Sequence, residues 1–179
     1  MPVQVVRIGN ISEKVVKSIC KSAEKDMAET PAGKFMLGPA LNFPPRAYNP
    51  SRKQYNSDLL LSWLYRNTDK KSKILGLINV DLYTESRALN FIFGQAQCPG
   101  KVAIVSIYRL NPIFYGEKSN LELLIERATK EVVHELGHTF GLKHCPNPEC
   151  VMSFSPSILD VDKKSSTFCV VCRNKQHSK

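Results

Sequence analysis

Three histidines lie within one short stretch of the sequence, at His134, His138 and His144. Together with Glu135 and Gly141 they form the string H-E-x-x-H-x-x-G-x-x-H. Two histidines four positions apart on a helix can bind one zinc ion from the same side. A glycine then allows the turn that would return a third histidine to the metal. The spacing therefore predicts a three-histidine zinc site that keeps one coordination position open for water.

Glu135 stands between the two helical histidines, where its carboxylate can reach a water molecule on the metal. A zinc ion lowers the pKa of such a water to about 7 and polarises a carbonyl group. We expect Glu135 to act as the general base, which takes the proton of the zinc-activated water and passes it to the leaving amine. This chemistry hydrolyses a peptide bond without a nucleophilic serine or cysteine. Three imidazoles would also accept cobalt, nickel or iron.

Four cysteines follow the histidines in two pairs: Cys145 and Cys150 form C-x4-C, and Cys169 and Cys172 form C-x2-C. Two such pairs suit a closed tetrahedral zinc site with four thiolates. This tail has few apolar residues, so we expect the metal to supply part of its folding free energy. Two disulfides or free thiols are the alternatives, and a reducing compartment disfavours the disulfides.

The bulk properties are those of an ordinary globular protein. The chain has 179 residues, enough for one domain with its own core. Its 25 Lys and Arg exceed its 16 Asp and Glu, but they are spread along the chain, as on a solvated surface. The first residues do not resemble a signal peptide, and no stretch approaches the ~20 apolar residues of a membrane span. We therefore expect a cytoplasmic location, and buried apolar positions for Cys20 and Cys98.

Hydrophobic periodicity predicts the elements that must position these residues. Strands are expected at residues 4–8, 73–80, 90–95 and 102–108. Two helices are expected before the histidine segment, one at residues 13–28 and one that is capped by Ser51 or Asn56 and ends near Arg66. The segment 30–50 is rich in proline, so we expect it to be irregular, with at most a short strand near 34–37.

The histidine helix is expected to begin at Ser119, which has capping-box spacing to Glu122, and to end at Gly141. At about 100° per residue, His134 and His138 project about 40° apart. The apolar residues fall on another side of the same helix: Leu121, Leu124, Ile125, Ala128, Val132 and Leu136. The helix should therefore bury one face and turn both histidines to the other.

From His134 to Cys172, the histidine string, the four cysteines and the methionine between them resemble the archaemetzincins, zinc peptidases of the metzincin clan found in archaea and vertebrates. The resemblance implies an α/β (α+β) fold. It would have a mixed twisted sheet, two or three helices including the active-site helix, and a small irregular C-terminal subdomain that binds zinc. The chain would be a single catalytic domain over 1–179, with subdomains at 1–141 and 142–179. It would hold two zinc ions, one catalytic and one structural.

The resemblance also implies roles outside the ligand sets. Met152 would form the methionine turn, an apolar floor beneath the histidines. The strand at 90–95 would be the edge of the sheet, on which an extended peptide pairs as an added strand. Some metzincins carry a tyrosine two residues after this methionine, which helps to stabilise the transition state. Here that position is Phe154, which has no hydroxyl group, so the oxyanion would depend on zinc or on another group.

The sequence thus predicts a zinc metallopeptidase that acts as a monomer on a peptide or protein substrate, without nucleic acid and without a membrane. Two other functions stay open. A metalloprotein with little turnover would have the same ligands. A basic zinc module would use the four-cysteine site and the net charge of +9 to bind nucleic acid. The lack of RNA-stacking aromatic motifs disfavours this last function.

Overall fold

The computed structural model describes residues 1–68, 71–86 and 88–177. The elements follow in the order β1 (Val3–Ile8), α1 (Glu13–Asp26), β2 (Phe35–Leu41), β3 (Tyr48–Asn49), β4 (Gln54–Asn56), α2 (Ser57–Asn67), β5 (Lys73–Ile78), β6 (Leu82–Tyr83), β7 (Gly94–Ala96), β8 (Val102–Ser106), α3 (Leu121–Thr139), α4 (Ile158–Lys163) and α5 (Val170–His177). None of the helices in these ranges combines the length and the hydrophobicity that a membrane span requires.

A five-stranded sheet forms the centre of the fold, with the strand order β2-β1-β5-β8-β7. The first four strands are parallel, and β7 pairs antiparallel to β8 at one edge. Every residue of β5 and β8 is buried, which explains why these interior strands are rich in Ile, Leu and Val. The strand predicted at 90–95 is thus an edge strand, but it covers Gly94–Ala96. A smaller sheet has the order β3-β4-β6.

Helices cover both faces of the large sheet. Side chains alternate between the two faces along each strand, and in the interior strands the side chains on both faces are buried. One face carries Val5, Leu75 and Val105, which belong to the same core as α1 and α3. The other face carries Ile8 and Ile104, which pack in a second core with α2. This three-layer arrangement confirms the predicted mixed α/β fold. The part of the chain that the structure describes forms five α-helices, where two or three were expected.

The segment 30–50 contains a longer strand than predicted. β2 extends over seven residues and pairs parallel to β1 at the other edge of the sheet. Pro39 is tolerated within it because an edge strand can lack one N–H donor. In the next helix, Asn56 is the N-cap, and Ser51 is not; the Asn56 side chain accepts hydrogen bonds from two backbone N–H groups of the first turn.

The start of α3 differs from the predicted capping box. Asn120, not Ser119, is the N-cap, and its side chain accepts a hydrogen bond from the backbone N–H of Leu123. Leu121, predicted to lie on the apolar face, is 47% exposed. Serine and asparagine both favour an N-cap, so residue preference alone does not distinguish the two positions. The other end agrees with the prediction, since Gly141 follows the helix with a φ of 86°.

α3 is buried on more sides than its periodicity indicates. Every residue from Arg127 to Thr139 is buried, including both histidines. The sheet and α1 pack on the apolar side, while β7 and α4 also contact the helix. Elements distant in sequence thus cover the second face as well. The two histidines, which the prediction turned to that face, line a cleft there.

The C-terminal segment is more ordered than the irregular subdomain expected from the sequence. It contains α4 and α5, and Val151, Met152 and Phe168 join the main core. Arg127 of α3 binds both carboxylate oxygens of Asp162 at 2.7 Å each, which attaches α4 to the active-site helix. Helices of six and eight residues are too short to show a clear period, so the sequence pattern did not reveal them.

Candidate functional site

His134 and His138 lie on successive turns of α3 and line the same cleft. Nδ1 of His134 lies 2.7 Å from the carbonyl oxygen of Val151, and Nδ1 of His138 lies 2.7 Å from that of Leu142. A carbonyl oxygen only accepts, so each Nδ1 donates a proton and each neutral ring keeps a lone pair on Nε2. The two Nε2 atoms are 3.1 Å apart.

Two unprotonated Nε2 atoms cannot donate to each other, and their lone pairs repel unless a cation lies between them. Nitrogens bound about 2.05 Å from one zinc ion lie roughly 3.3 Å apart in tetrahedral geometry. The separation of 3.1 Å between His134 and His138 therefore fits two ligands of a shared zinc ion. The carbonyl contacts at Nδ1 are those that commonly orient metal-binding histidines.

His144 reaches the same point from the segment after α3. Gly141 adopts a left-handed conformation that costs glycine little, and the backbone N–H of Leu142 closes the turn on the carbonyl oxygen of Gly137 at 3.1 Å. The ligand nitrogens of the three histidines then all lie within 4.8 Å of one another. His144 is exposed whereas the two helical histidines are buried, so the site opens on the side of His144.

The surroundings of His134 keep its ring neutral. Burial lowers the pKa of His134 well below its usual value, and the positive charge of Lys164 acts in the same direction. The hydrogen bond with the carbonyl oxygen of Val151 opposes this shift without cancelling it. A neutral imidazole is the form that binds a metal ion, so this histidine needs no deprotonation at physiological pH.

Glu135 is buried where α3 meets the edge strand β7. A Cβ atom on Gly94 would lie 2.8 Å from Cγ of Glu135 and 2.8 Å from the carbonyl oxygen of Ile104. A side chain at position 94 would thus collide with both the glutamate and the backbone of β8. Glycine permits this close approach, and the strand edge and the carboxylate line the cleft side by side.

Met152 packs directly against the turn of α3 that carries the histidines. A Cβ atom on Gly137, the residue before His138, would lie 2.5 Å from Sδ of Met152, which is fully buried. The preceding residue, Val151, supplies the carbonyl oxygen that orients His134. The methionine and its neighbour are thus placed where the resemblance to metzincins requires a methionine turn.

The three histidines and Glu135 line a cleft of about 390 Å³ between the β7 side and residues 154–156. Among the lining residues that the sequence analysis did not single out are Thr84, Glu131 and Lys143. Glu131 carries a signal that could have identified it, because it precedes His134 by one helical turn and so lies near the same face. The other two come from loops whose positions no local pattern predicts.

The two isolated cysteines differ in burial. Cys20 is buried as predicted, and burial raises the pKa of its thiol to about 12. Cys98 is exposed, contrary to the prediction, because it lies in the loop between β7 and β8 at the cleft. Its thiol donates to the carbonyl oxygen of Leu142 at 3.4 Å. Neither residue belongs to the groups of possible metal ligands found among the described residues.

The four cysteines after α3 come together in a second group. The Sγ atoms of Cys145, Cys150, Cys169 and Cys172 all lie within 4.8 Å of one another. Those of Cys145 and Cys169 are 3.8 Å apart. Sulfurs bound about 2.3 Å from one zinc ion lie roughly 3.8 Å apart in tetrahedral geometry, whereas disulfide sulfurs are about 2.05 Å apart. The arrangement fits a closed four-thiolate site.

The acidities of these thiols differ. Burial and the thiol of Cys145 raise the pKa of Cys172. Burial acts in the same direction on Cys169, but hydrogen bonds from the backbone of Cys172 and with the neighbouring thiols outweigh it and lower the pKa of Cys169 to about 7. At least one thiol therefore ionises readily near neutral pH, as a thiolate ligand must.

Phe154 lies at the open side of the histidine group. Its ring centroid is 5.0 Å from that of His144, and 44% of the residue is exposed. The described residues that line the cleft include no tyrosine. The hydroxyl group that some metzincins place two residues after the methionine therefore has no equivalent at this position.

Residues 10–178 of the chain match the family described as peptidase family M54. The archaemetzincin of Methanocaldococcus jannaschii is 42% identical over 168 residues, which cover 94% of this chain and 88% of that protein. The archaemetzincin of Pyrococcus furiosus is 43% identical over 175 residues, which cover 96% and 90%.

Two crystal structures of archaemetzincins are also similar. That of the Methanopyrus kandleri protein has a TM-score of 0.83 and 37% identity, and the match covers 99% of this chain and 93% of that one. That of the Archaeoglobus fulgidus protein, complexed with malonate, has a TM-score of 0.82 and 35% identity over 98% and 99% of the two chains.

Proposed function

The chain belongs to peptidase family M54 and is a zinc-dependent metallopeptidase; from this premise we propose that His134, His138 and His144 hold its catalytic zinc ion. The observation that carries the proposal is the 3.1 Å separation of the two helical Nε2 atoms, each on a ring whose Nδ1 already donates to a carbonyl oxygen. The third nitrogen completes a set that leaves room for water on the exposed side.

Glu135 is the proposed general base. When bound, zinc supplies a coordination position at which water is acidified and a carbonyl is polarised. The carboxylate of Glu135, held in the cleft beside β7, accepts a proton from the attacking water and returns it to the nitrogen of the leaving amine. Its burial supports this role, because the packed side chain holds the carboxylate in one position at the wall of the cleft.

The peptide or protein substrate is proposed to pair with the outer edge of β7. This strand has β8 on one side, and among the described residues no further strand of the sheet lies on the other. Gly94 brings its backbone against Glu135, so an extended peptide added at this edge would pass close to the general base. The edge supplies backbone hydrogen bonds, and the cleft receives side chains.

We further propose that Cys145, Cys150, Cys169 and Cys172 hold a second, structural zinc ion. The 3.8 Å distance between two of the sulfurs and the compact group that all four form support a tetrahedral site. Met152, between the cysteine pairs, would serve as the floor beneath the histidines, as its contact with Gly137 indicates. The single catalytic domain would then have its C-terminal part, 142–179, fixed by metal.

Replacing Glu135 with alanine tests the catalytic assignment. We expect the variant to keep zinc at the histidines and to lose peptide hydrolysis by at least ~100-fold, the lower range for removal of a general base. Turnover would be measured by mass spectrometry on a peptide library, and zinc by elemental analysis.

Glu122→Ala, an exposed glutamate on the same helix, is the matched control and should retain activity. Near wild-type turnover of Glu135→Ala would remove this residue from the mechanism. Loss of zinc from the same variant would instead assign it a role in metal binding.

A further inference from the structure

A buried ion pair lies next to the three histidines and Glu135. Nζ of Lys164 is 2.8 Å from Oε1 of Glu131, and the two side chains are 0% and 5% exposed. Both atoms are enclosed, and among the described residues neither has a further hydrogen-bond partner. The ammonium and this carboxylate oxygen have thus been taken out of water against each other.

The two partners occupy different places relative to the cleft. Glu131 lines it, one helical turn before His134 and one turn before Glu135. Lys164 directly follows α4, is fully buried and is not among the lining residues. Oε1 of Glu131 is enclosed against the ammonium, whereas its other carboxylate oxygen is not among the enclosed atoms. A group entering this part of the cleft can therefore meet that second oxygen, while the ammonium lies behind it. Lys143, a cationic residue of the lining, lies exposed beside His144.

Attachment of α4 to α3 does not require this pair. Arg127 already binds Asp162 through two hydrogen bonds of 2.7 Å, and Lys130 donates to the backbone carbonyl of Asp162 at 3.3 Å. A buried ion pair often contributes no more stability than apolar side chains of similar volume. A carboxylate at the wall of a substrate cleft is therefore better explained by what it binds.

We propose that Glu131 is a specificity-determining residue, which selects substrates with a lysine or arginine side chain in this part of the cleft, and that Lys164 is the positioning residue that holds its carboxylate. The proposal rests on the proposed peptidase function. A cationic side chain can donate charge-assisted hydrogen bonds to the carboxylate. An apolar side chain would bury it without a donor from the substrate, and an acidic side chain would be repelled.

Binding of peptide hydroxamates tests the proposal without turnover. The probes share one backbone and carry either lysine or norleucine, its uncharged counterpart, at each of three successive positions beside the hydroxamate. Calorimetry on the zinc-loaded protein should show, at one position, at least about tenfold tighter binding of the lysine compound. Glu131→Gln should abolish this preference. Glu126→Gln, an exposed glutamate earlier on the same helix, should retain it.

A second variant covers the case in which Glu131→Gln does not fold because Lys164 is left without a counter-charge. The double variant Glu131→Met/Lys164→Met replaces the pair with apolar side chains and should bind zinc, fold, and favour the norleucine compound. Lysine preference retained in either folded variant would overturn the proposal, as would equal binding of lysine and norleucine at every position in the wild type.

Digestion of a peptide library by the wild type separates this proposal from the function beneath it. Cleavage with lysine or arginine enriched at one position beside the cut bond supports both the peptidase function and the role of Glu131. Cleavage without such enrichment overturns the role of Glu131 and leaves the peptidase intact. If the hydroxamates show a lysine preference but no peptide is cleaved, the role of Glu131 in binding is supported and the peptidase function is contradicted. If no hydroxamate binds, the proposal and the histidine metal site both fail.

Discussion

The histidine group and the cysteine group are built in opposite ways. Two of the three histidines come from one long buried helix, and their rings are oriented by the carbonyl oxygens of Val151 and Leu142. The four cysteines come from two separate segments, 145–150 and 169–172, with one short helix between them. Packing of the fold arranges the histidines, whereas the cysteines are brought together where little regular structure holds them.

The two groups also differ in charge and access. The histidines would be neutral ligands at a cleft that is proposed to admit substrate, and a carboxylate stands beside them. The cysteines offer four thiolates that would enclose a metal and compensate its charge. A reactive metal thus needs a scaffold that is stable without it, while a structural metal can itself be part of the scaffold.

One segment nevertheless links the groups. Residues 142–152 contain Cys145 and Cys150 as well as the two carbonyl groups that orient His134 and His138. Disorder at the cysteines should therefore reach the histidines, but loss of the histidine metal should not reach the cysteines. The predictions below test this asymmetry.

Replacing Cys172 with serine should have the largest effect. A structural zinc ion contributes on the order of 10 kcal/mol to the folding of a small domain, and Cys172 is also buried. We expect loss of one metal, disorder over 142–179, and loss of activity because the carbonyl contacts to the histidines disappear. Metal content, hydrogen exchange of α4 and α5, and peptide hydrolysis would be measured on the same sample.

Cys20→Ser is the matched control, since it also places a hydroxyl group at a buried thiol position that is not a ligand. It should cost roughly 1–3 kcal/mol of stability and keep both metals. Should Cys172→Ser remain ordered and active, the packing of residues such as Val161 and Phe168 would hold the tail by itself, and the proposed division of roles would be wrong.

A chelator titration should produce the next largest effect, confined to activity. The histidine group has three neutral ligands and an open position, so its metal should leave first. We expect hydrolysis to stop while circular dichroism and one bound zinc per chain are unchanged, and activity to return when zinc is added. Departure of the cysteine metal first, from a protein that stays folded and active, would contradict the comparison.

Replacing Gly94 with alanine should have the smallest effect and should act only on the histidine side. The new Cβ would lie 2.8 Å from Cγ of Glu135, so the general base must shift. We expect both metals to be retained and kcat to fall by about tenfold or more, because a displaced base loses part of its effect.

Gly38→Ala is the control for Gly94→Ala. It makes the same change in β2 at the opposite edge of the sheet, where the nearest atom, 3.0 Å away, belongs to the side chain of Gln4. Its kcat should be unchanged. An equal loss of kcat in both variants would show that strand distortion, and not contact with Glu135, limits activity.

Much of the fold could be predicted from periodicity. The strands β1, β5 and β8 begin and end within two residues of the predicted bounds, because long apolar runs identify interior strands. Hydrophobic periodicity was less informative where helices are short, as for α4 and α5. The start of α3 was also difficult to predict, because Ser119 and Asn120 could both cap a helix. Exposure of Cys98 depended on a loop position that composition does not encode.

The local sequence specifies which atoms can bind metal and in what local geometry. The spacing of His134 and His138 sets two rings on one side of a helix, and a glycine before His144 allows the return, whatever the rest of the chain does. The groups that surround these atoms depend on how the whole chain folds. The contact of Gly94 with Glu135 and the pair of Glu131 with Lys164 join residues far apart in sequence. Such contacts depend on strand order and helix packing, which no local spacing specifies.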